Sequence, residues 1–340
     1  MDTLLTLFGD PNVWLPITFA VLMGASILIY VVLDGFDLGV GILFPFAQPD
    51  EKDRMIASIG PFWDANETWL VLAIGLLLVA FPAAHGTILT ALYLPVAIML
   101  IGLILRGVAF EFRVKAPPRF KPHWDTVFWL GSLLTALSQG FMLGLYILGL
   151  AGDAISLGFA LLTAVFLAAG YAFIGAAWLI MKAEGDLQAK AVRWAKRGLV
   201  GVVGGMAAIS LASPLASPRI FQKWFAFPEI VLLAPMPIMA AVLITVLWLA
   251  LRHLPDSRDR WSFVPFVGAI ALFILAFAGL AYSFYPFVVP DQLTIYEAAS
   301  APESLLIILI GTVFVLPAII GYTALSYTVF RGKARELTYS

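Results

Sequence analysis

The chain contains a stretch without charged residues that is too long for one helix across a lipid bilayer. From Thr68 to Leu105 there is no Asp, Glu, Lys or Arg. One crossing needs about 20 apolar residues, so we expect two spans here, separated by a turn at 81–86 that contains Pro82 and Gly86. The whole chain has this character: 62% of its residues are hydrophobic and 12% are charged, whereas soluble domains are about 25% charged. The sequence therefore predicts a multi-pass membrane protein.

The same reasoning along the chain predicts an all-α integral membrane protein with nine transmembrane helices in a single domain, 1–340. We expect the helices at 13–44, 55–80, 87–105, 126–150, 155–181, 198–217, 230–251, 261–282 and 304–330. The segments between them are polar, and 111–125 and 182–197 are read as basic loops.

The distribution of basic residues predicts the orientation. Nine spans place the two termini on opposite sides of the membrane. Of the 20 Lys and Arg residues, only Arg219 and Lys223 fall on one side. The remainder fall on the other: Lys52, Arg54, Arg106, Arg113, Lys115, Arg119, Lys121, Lys182, Lys190, Arg193, Lys196, Arg197, Arg252, Arg258, Arg260, Arg331, Lys333 and Arg335. Cytoplasmic loops carry the excess of Lys and Arg, so we expect the N-terminus outside and the C-terminus in the cytoplasm. The first residues include Asp2 and no basic residue, so we expect no cleaved signal peptide.

Four acidic residues lie inside the predicted spans. Asp34 and Asp37 are in the cytoplasmic half of helix 1, and Asp64 and Glu67 are in the first half of helix 2. Each such residue costs about 2.5–3.5 kcal/mol on insertion scales and usually serves a function. Each pair has the i, i+3 spacing of one helix face. We expect all four to line one cleft open to the cytoplasm, where at least one holds a proton and can relay it.

A structural interpretation of these acids stays open. They would then only cap helices or pair with Arg54 and Arg106 at the membrane interface. The glycines that follow Asp34, at 35, 39 and 41, do not have the ligand spacing of a calcium-binding loop. We interpret them as sites of close helix packing.

Composition argues against several other kinds of site. There is no cysteine, which excludes disulfides, zinc–thiolate sites, iron–sulfur clusters and thiol catalysis. The net charge of −1 gives no indication of nucleic-acid binding. The three histidines, His85, His123 and His253, lie in predicted loops or at their edges. A haem in a helix bundle needs His or Met ligands that point into the core, and only His85 is a candidate, a weak one. We expect no metal site.

Four segments resemble subunit II of the cytochrome bd-type quinol oxidases, including the cyanide-insensitive branch. They are 33–41 (LDGFDLGVG), 60–70 (GPFWDANETWL), 105–113 (LRGVAFEFR) and 285–290 (YPFVVP). The first two are long and specific, and together the segments extend from helix 1 to the loop before helix 9.

The resemblance implies two four-helix bundles plus one peripheral helix, in a bacterial inner membrane protein. It also implies a heterodimer with a haem-bearing subunit I, which holds two b-type haems, a haem d or b at the oxygen site, and the quinol site. This chain itself would carry no haem. The complex would oxidise quinol outside and reduce dioxygen to water, which generates a proton motive force. The type of quinol, a bound quinone or lipid and a small accessory subunit stay open.

The resemblance also assigns roles to residues. Asp64 matches the proton-path aspartate of the family's Trp-Asp motif, and Asp37 matches the second Asp of its Asp-Gly-Phe-Asp motif. Asp34 and Glu67 are expected on the same path, and some relatives have an amide at the Glu67 position. Arg106 matches the family's arginine after helix 3, a counter-ion for the acids. Trp63 and Asn66, from the same motif as Asp64, are expected to support them.

Two other functions are weighed against this one. A stand-alone proton-coupled transporter would suit acids within the membrane and helices interrupted by glycine, but no inverted repeat is visible in the sequence. A structural scaffold would use the acids only to hold helices together. Neither explains the long shared motifs.

Overall fold

The computed structural model describes residues 9–256 and 258–334. In this part of the chain, nine helical segments are long and apolar enough to cross a membrane. The predicted number of spans and the all-α class are confirmed. Asp2, used above in the signal-peptide prediction, and Arg335, used above to predict the orientation, lie outside the described residues.

The elements follow one another as a series of long helices with short connections. The helices are α1 (Pro11–Leu43), α2 (Pro49–Ile59), α3 (Trp63–Ala80), α4 (Pro82–Lys115), α5 (Lys121–Ile147), α6 (Ala154–Lys182), α7 (Gly185–Ala216), α8 (Pro218–Phe225), α9 (Glu229–Leu233), α10 (Pro235–His253), α11 (Val264–Phe284), α12 (Ile295–Ala298) and α13 (Pro302–Val329). A two-stranded antiparallel hairpin, β1 (Phe287–Val289) and β2 (Leu293–Thr294), precedes α12.

The spanning helices form two bundles. In the first, α1 packs against α3 and α5, and α4 packs against α5 and, more lightly, α3. In the second, α6, α7, α10 and α11 surround one another in the same way. Helix α13 packs lightly against α1 and α3. This is the expected arrangement of two four-helix bundles with one peripheral helix.

Two glycines join the bundles where α1 crosses α6. A Cβ atom on Gly39 would run into the backbone carbonyl of Tyr171 and the backbone nitrogen of Gly175. The two backbones are therefore in direct contact, and no side chain fits between them. The close packing predicted from the glycines after Asp34 is found at Gly39.

The turn expected at 81–86 is wrong. Helix α3 ends at Ala80 and α4 already begins at Pro82, so the connection is the single residue Phe81. Proline is favoured in the first turn of a helix, where its missing N–H has no partner to lose. Pro82 therefore starts a helix here instead of lengthening a loop.

The predicted basic loops are mostly helical, and one predicted helix is broken. Helix α4 continues to Lys115, α5 begins at Lys121 and α7 begins at Gly185, because Lys and Arg favour helices and these ends extend beyond the apolar layer. The helix expected at 55–80 is instead divided at 60–62, where Pro61 supplies no backbone N–H. The segment 218–229, read as a polar loop, contains α8.

Candidate functional site

A buried arginine brings two of the acidic residues together inside the first bundle. Arg106 lies in α4 and is 2% exposed. Its Nη1 is 2.6 Å from Oδ1 of Asp34, on α1, which is 0% exposed. Its Nη2 donates a hydrogen bond to Oε1 of Glu67, on α3. The sequence placed Arg106 in the loop after the third predicted helix, 87–105. In the structure it lies within α4, and its ion pairs join α4 to α1 and α3.

The next acid, Asp37, is held by an amide. Asp37 is 1% exposed and lies one turn from Asp34 on α1. Asn66 Nδ2 donates to Asp37 Oδ2 over 2.7 Å and also to the backbone oxygen of Leu33 over 3.3 Å. The site thus holds three carboxyl groups against one guanidinium, and full ionisation of all four would leave an excess of negative charge within the bundle.

A narrow gap leads from Asp37 and Arg106 toward the break between α2 and α3. Trp63, the first residue of α3, lines this gap, with its ring 5.1 Å from that of Phe110. Ile59 and Phe128 complete the walls, and the gap is too tight for a water-sized sphere. Trp63 and Asn66 thus both lie at the site, one as a wall and the other as a hydrogen-bond donor.

Asp64 is not part of this cluster, so the expectation of one cleft with four acids is wrong. Its side chain is exposed on the outer surface of α3, whereas Glu67 is half-buried and reaches Arg106. Residues three apart on a helix differ in direction by about 60°. That difference is enough to turn Glu67 toward the bundle and Asp64 away from it.

A second polar group extends from Asp34 toward the middle of the membrane. Tyr171 donates to Oε1 of Gln139 over 2.6 Å, and Gln139 Nε2 donates to the Tyr30 hydroxyl over 2.7 Å. Tyr30 is buried one turn before Asp34 on α1 and interacts with its carboxylate. The sequence did not predict this series of hydrogen bonds, because uncharged polar residues at helical spacing give no signal of their own.

An ion-pair clamp, also missed, holds the predicted cytoplasmic end of the bundle. Arg113, two turns after Arg106 on α4, is 3% exposed; its Nη1 lies 2.7 Å from Asp53 and its Nε 2.5 Å from Asp125. Lys121 lies 3.2 Å from Asp53. Partial burial alone would raise the pKa of Asp53, but hydrogen bonds and charge from Arg113 and Lys121 outweigh it and lower that pKa. The seven-residue spacing of the two arginines is the signal that could have identified the clamp.

Comparison with known proteins identifies the family. The family model "Cytochrome bd terminal oxidase subunit II" matches residues 15–330 of the chain. The chain belongs to this family.

Relatives of this subunit II match over nearly their full lengths. This chain is 31% identical over 330 residues to cytochrome bd ubiquinol oxidase subunit 2 of Bacillus subtilis (strain 168), covering 89% of this chain and 92% of the relative. It is 28% identical to cytochrome bd-I ubiquinol oxidase subunit 2 of Escherichia coli (strain K12), with 92% and 93% covered. The structure of bd oxidase from Geobacillus thermodenitrificans has a chain with a TM-score of 0.74 at 17% identity, covering 93% of this chain and 98% of that one; this last match shows a shared fold.

As a subunit II, the protein is a multi-pass component of a terminal oxidase. Its family membership sets aside the stand-alone transporter. Whether its acids carry protons or only hold helices together is decided by the variants described below.

The three histidines of this subunit II lie near helix ends. His85 is half-buried in the first turns of α4, while His123 and His253 are exposed near the ends of α5 and α10. Within 9–256 and 258–334, no group of three or more His, Asp or Glu side chains is placed to hold a metal ion.

Proposed function

We propose that this subunit II is the haem-free partner of a haem-bearing subunit I in a quinol:oxygen oxidoreductase of the bacterial inner membrane. The relatives described above are named as ubiquinol oxidase subunits, which supports quinol as the electron donor. The excess of Lys and Arg at one end of the helices supports an N-terminus outside and a C-terminus in the cytoplasm. The chain has two tasks in this proposal: to stabilise subunit I and to supply part of a cytoplasmic proton path.

The observation that carries the proton path is the group of carboxyls around Arg106. Asp34 and Asp37 are fully buried, Glu67 is half-buried and Asp64 is exposed on the same helix as Glu67. Acidic groups therefore extend from the interior of the bundle to its surface. A scaffold needs one carboxylate to balance one guanidinium, and the additional carboxyls favour groups that gain and lose protons.

The path begins on the cytoplasmic side, near the break between α2 and α3. A proton reaches Asp37 through the gap beside Trp63. The gap is too tight for water as it stands, so the proposal requires the Trp63 ring to move and admit water. Arg106 stabilises the carboxylates that are left when a proton moves on to Glu67. From Glu67 the proton passes to Asp64, one turn away at the surface of α3.

The surface around Asp64 is the proposed contact with subunit I. Exposed residues recur along α3 at helical spacing, namely Asp64, Thr68, Val71 and Gly75. A carboxylate that faces lipid is destabilising, and more so the deeper it lies in the membrane. A partner subunit that covers the stripe and accepts the proton removes that cost. It also continues the path toward the oxygen-reducing haem in subunit I.

In this proposal the complex conserves energy because protons are released on one side of the membrane and taken up from the other. Quinol releases its protons outside when it is oxidised. The protons that combine with reduced dioxygen to form water come from the cytoplasm. Charge is therefore separated across the membrane without a pump.

The test is the pair of variants Asp64→Asn and Asp37→Asn in the complete complex. Each should leave the reduced-minus-oxidised haem spectrum unchanged and slow both turnover and proton uptake. The control is Glu111→Gln, an acid on the exposed face near the end of α4 that pairs with Lys115 over 3.6 Å. Normal turnover and normal proton uptake in both Asp variants would refute the path and leave a structural role.

A further inference from the structure

The peripheral helix α13 has one polar contact with the acid site. Among its residues, only Leu305 is buried, and within the described residues it packs lightly against α1 and α3. Near its end, however, the Tyr327 hydroxyl lies 3.1 Å from Oδ1 of Asn66. Asn66 is 261 residues earlier in the sequence and is the residue that donates to Asp37.

The hydrogen-bond roles in this contact follow from the partners of Asn66. A carboxylate and a backbone carbonyl only accept hydrogen bonds. The side of the Asn66 amide that faces Asp37 and the Leu33 carbonyl must therefore be the NH₂ group. Its oxygen then points to Tyr327, which donates its hydroxyl proton. The donor direction of both hydrogen bonds, from Tyr327 to Asn66 and from Asn66 to Asp37, is thereby determined.

Aromatic and charged groups hold this end of α13 in place independently of the hydroxyl. The Tyr327 ring stacks on Phe62 with centroids 4.4 Å apart and an interplanar angle of 21°. Lys182, from α6, donates to the backbone oxygen of Phe330 over 2.7 Å and lies 5.0 Å from the ring of Trp178. A cation that binds the last carbonyls of a helix stabilises its C-terminus. The helix end is thus attached by contacts that a Phe at 327 would keep.

We propose that Tyr327 is a positioning residue for Asp37, so that the peripheral helix completes the acid site. The Asn66 oxygen accepts a hydrogen bond from the Tyr327 hydroxyl. This bond fixes the orientation of the amide, so that its NH₂ group continues to donate to the Asp37 carboxylate. Without the tyrosine hydroxyl, the Asn66 oxygen loses its partner and the amide can rotate away from Asp37. This inference rests on the proposed proton path through Asp37.

The experiment compares Tyr327→Phe with Tyr322→Phe in the complete complex. Tyr322 lies on the same helix and is 61% exposed, so it is a matched control. We expect Tyr327→Phe to keep the haem content and to lower turnover by about two- to tenfold, the effect of one neutral hydrogen bond. It should also shift the carboxyl C=O band that Asp37→Asn removes from the reduced-minus-oxidised infrared difference spectrum. Tyr322→Phe should change neither.

Unchanged turnover with an unshifted band in Tyr327→Phe would overturn the inference. So would loss of haem or of subunit I in that variant alone, because the hydroxyl would then act on assembly. If Asp37→Asn itself has normal turnover, the proton path fails; if only Tyr327→Phe is normal, the path stands and the positioning role fails.

A second comparison tests whether the effect passes through Asn66. Residues that act through one another are not additive. Tyr327→Phe should therefore produce no further loss of turnover in an Asn66→Ala background. Two losses that multiply would show that Tyr327 acts independently of Asn66 and would also overturn the inference.

Discussion

Replacement of Arg106 by Met should destabilise the subunit far more than the same change at the surface. Arg106 and Asp34 are 2% and 0% exposed and lie 2.6 Å apart. Removal of one partner from a buried ion pair costs about 3–5 kcal/mol, because the other charge stays buried without compensation. Arg54, which is 34% exposed and 3.3 Å from Asp50, is the control. Exposed pairs contribute about 0–1 kcal/mol, so Arg54→Met should be nearly neutral.

The assay is the denaturation midpoint of the purified complex, followed by the circular dichroism of its helices. The midpoint of Arg106→Met should lie well below that of Arg54→Met. The double variant Arg106→Met/Asp34→Leu should recover part of the loss, since it removes the uncompensated charge. Equal midpoints for the two Arg→Met variants would refute the conclusion that the cluster depends on Arg106.

Four further changes test other parts of the fold. Gly39→Ala should cost about 1–3 kcal/mol by overpacking against the α6 backbone, whereas Gly311→Ala, with nothing within 4 Å, should stabilise by up to about 1 kcal/mol; denaturation midpoints check both. Gln139→Leu should cost about 1–3 kcal/mol in the same assay, because it leaves two buried tyrosine hydroxyls without their amide partner. Because the clamp lowers the pKa of Asp53, its contribution should be present at neutral pH and be lost as the pH falls below about 4. The carboxylate is 44% exposed, so this contribution should be below about 1 kcal/mol, and Asp53→Asn should remove the acid-dependent part.

The sequence was sufficient to predict the number of spans, because a span is defined by the length of an apolar run and not by its partners. Helix ends were harder to predict. Pro82 was interpreted as part of a turn, yet it starts α4 directly after Phe81. Proline marks either a loop or the first turn of a helix, and the sequence does not distinguish the two.

The site was predicted in type more than in arrangement. The acids in α1 and α3 stood out because charge is rare in apolar segments, and the resemblance pointed to Arg106 as their counter-ion. Which acids meet Arg106 depends on a rotation of about 60° around α3, so Asp64 was wrongly placed in the cluster around Arg106. The contact of Tyr327 with Asn66 spans 261 residues, and no local pattern indicates such a pairing.

The ion pair between Asp34 and Arg106 has a consequence for the synthesis of the protein. About 70 residues separate the two in the chain, and ribosomes add about 5–20 residues per second. For roughly 4–14 s, the nascent chain therefore contains an α1 whose carboxyl groups have no arginine to meet. Either protons neutralise this helix during that interval, or the insertion machinery retains it until α4 emerges. Helix α1, made before the other helices of its bundle, is thus among the last of them to reach its final environment.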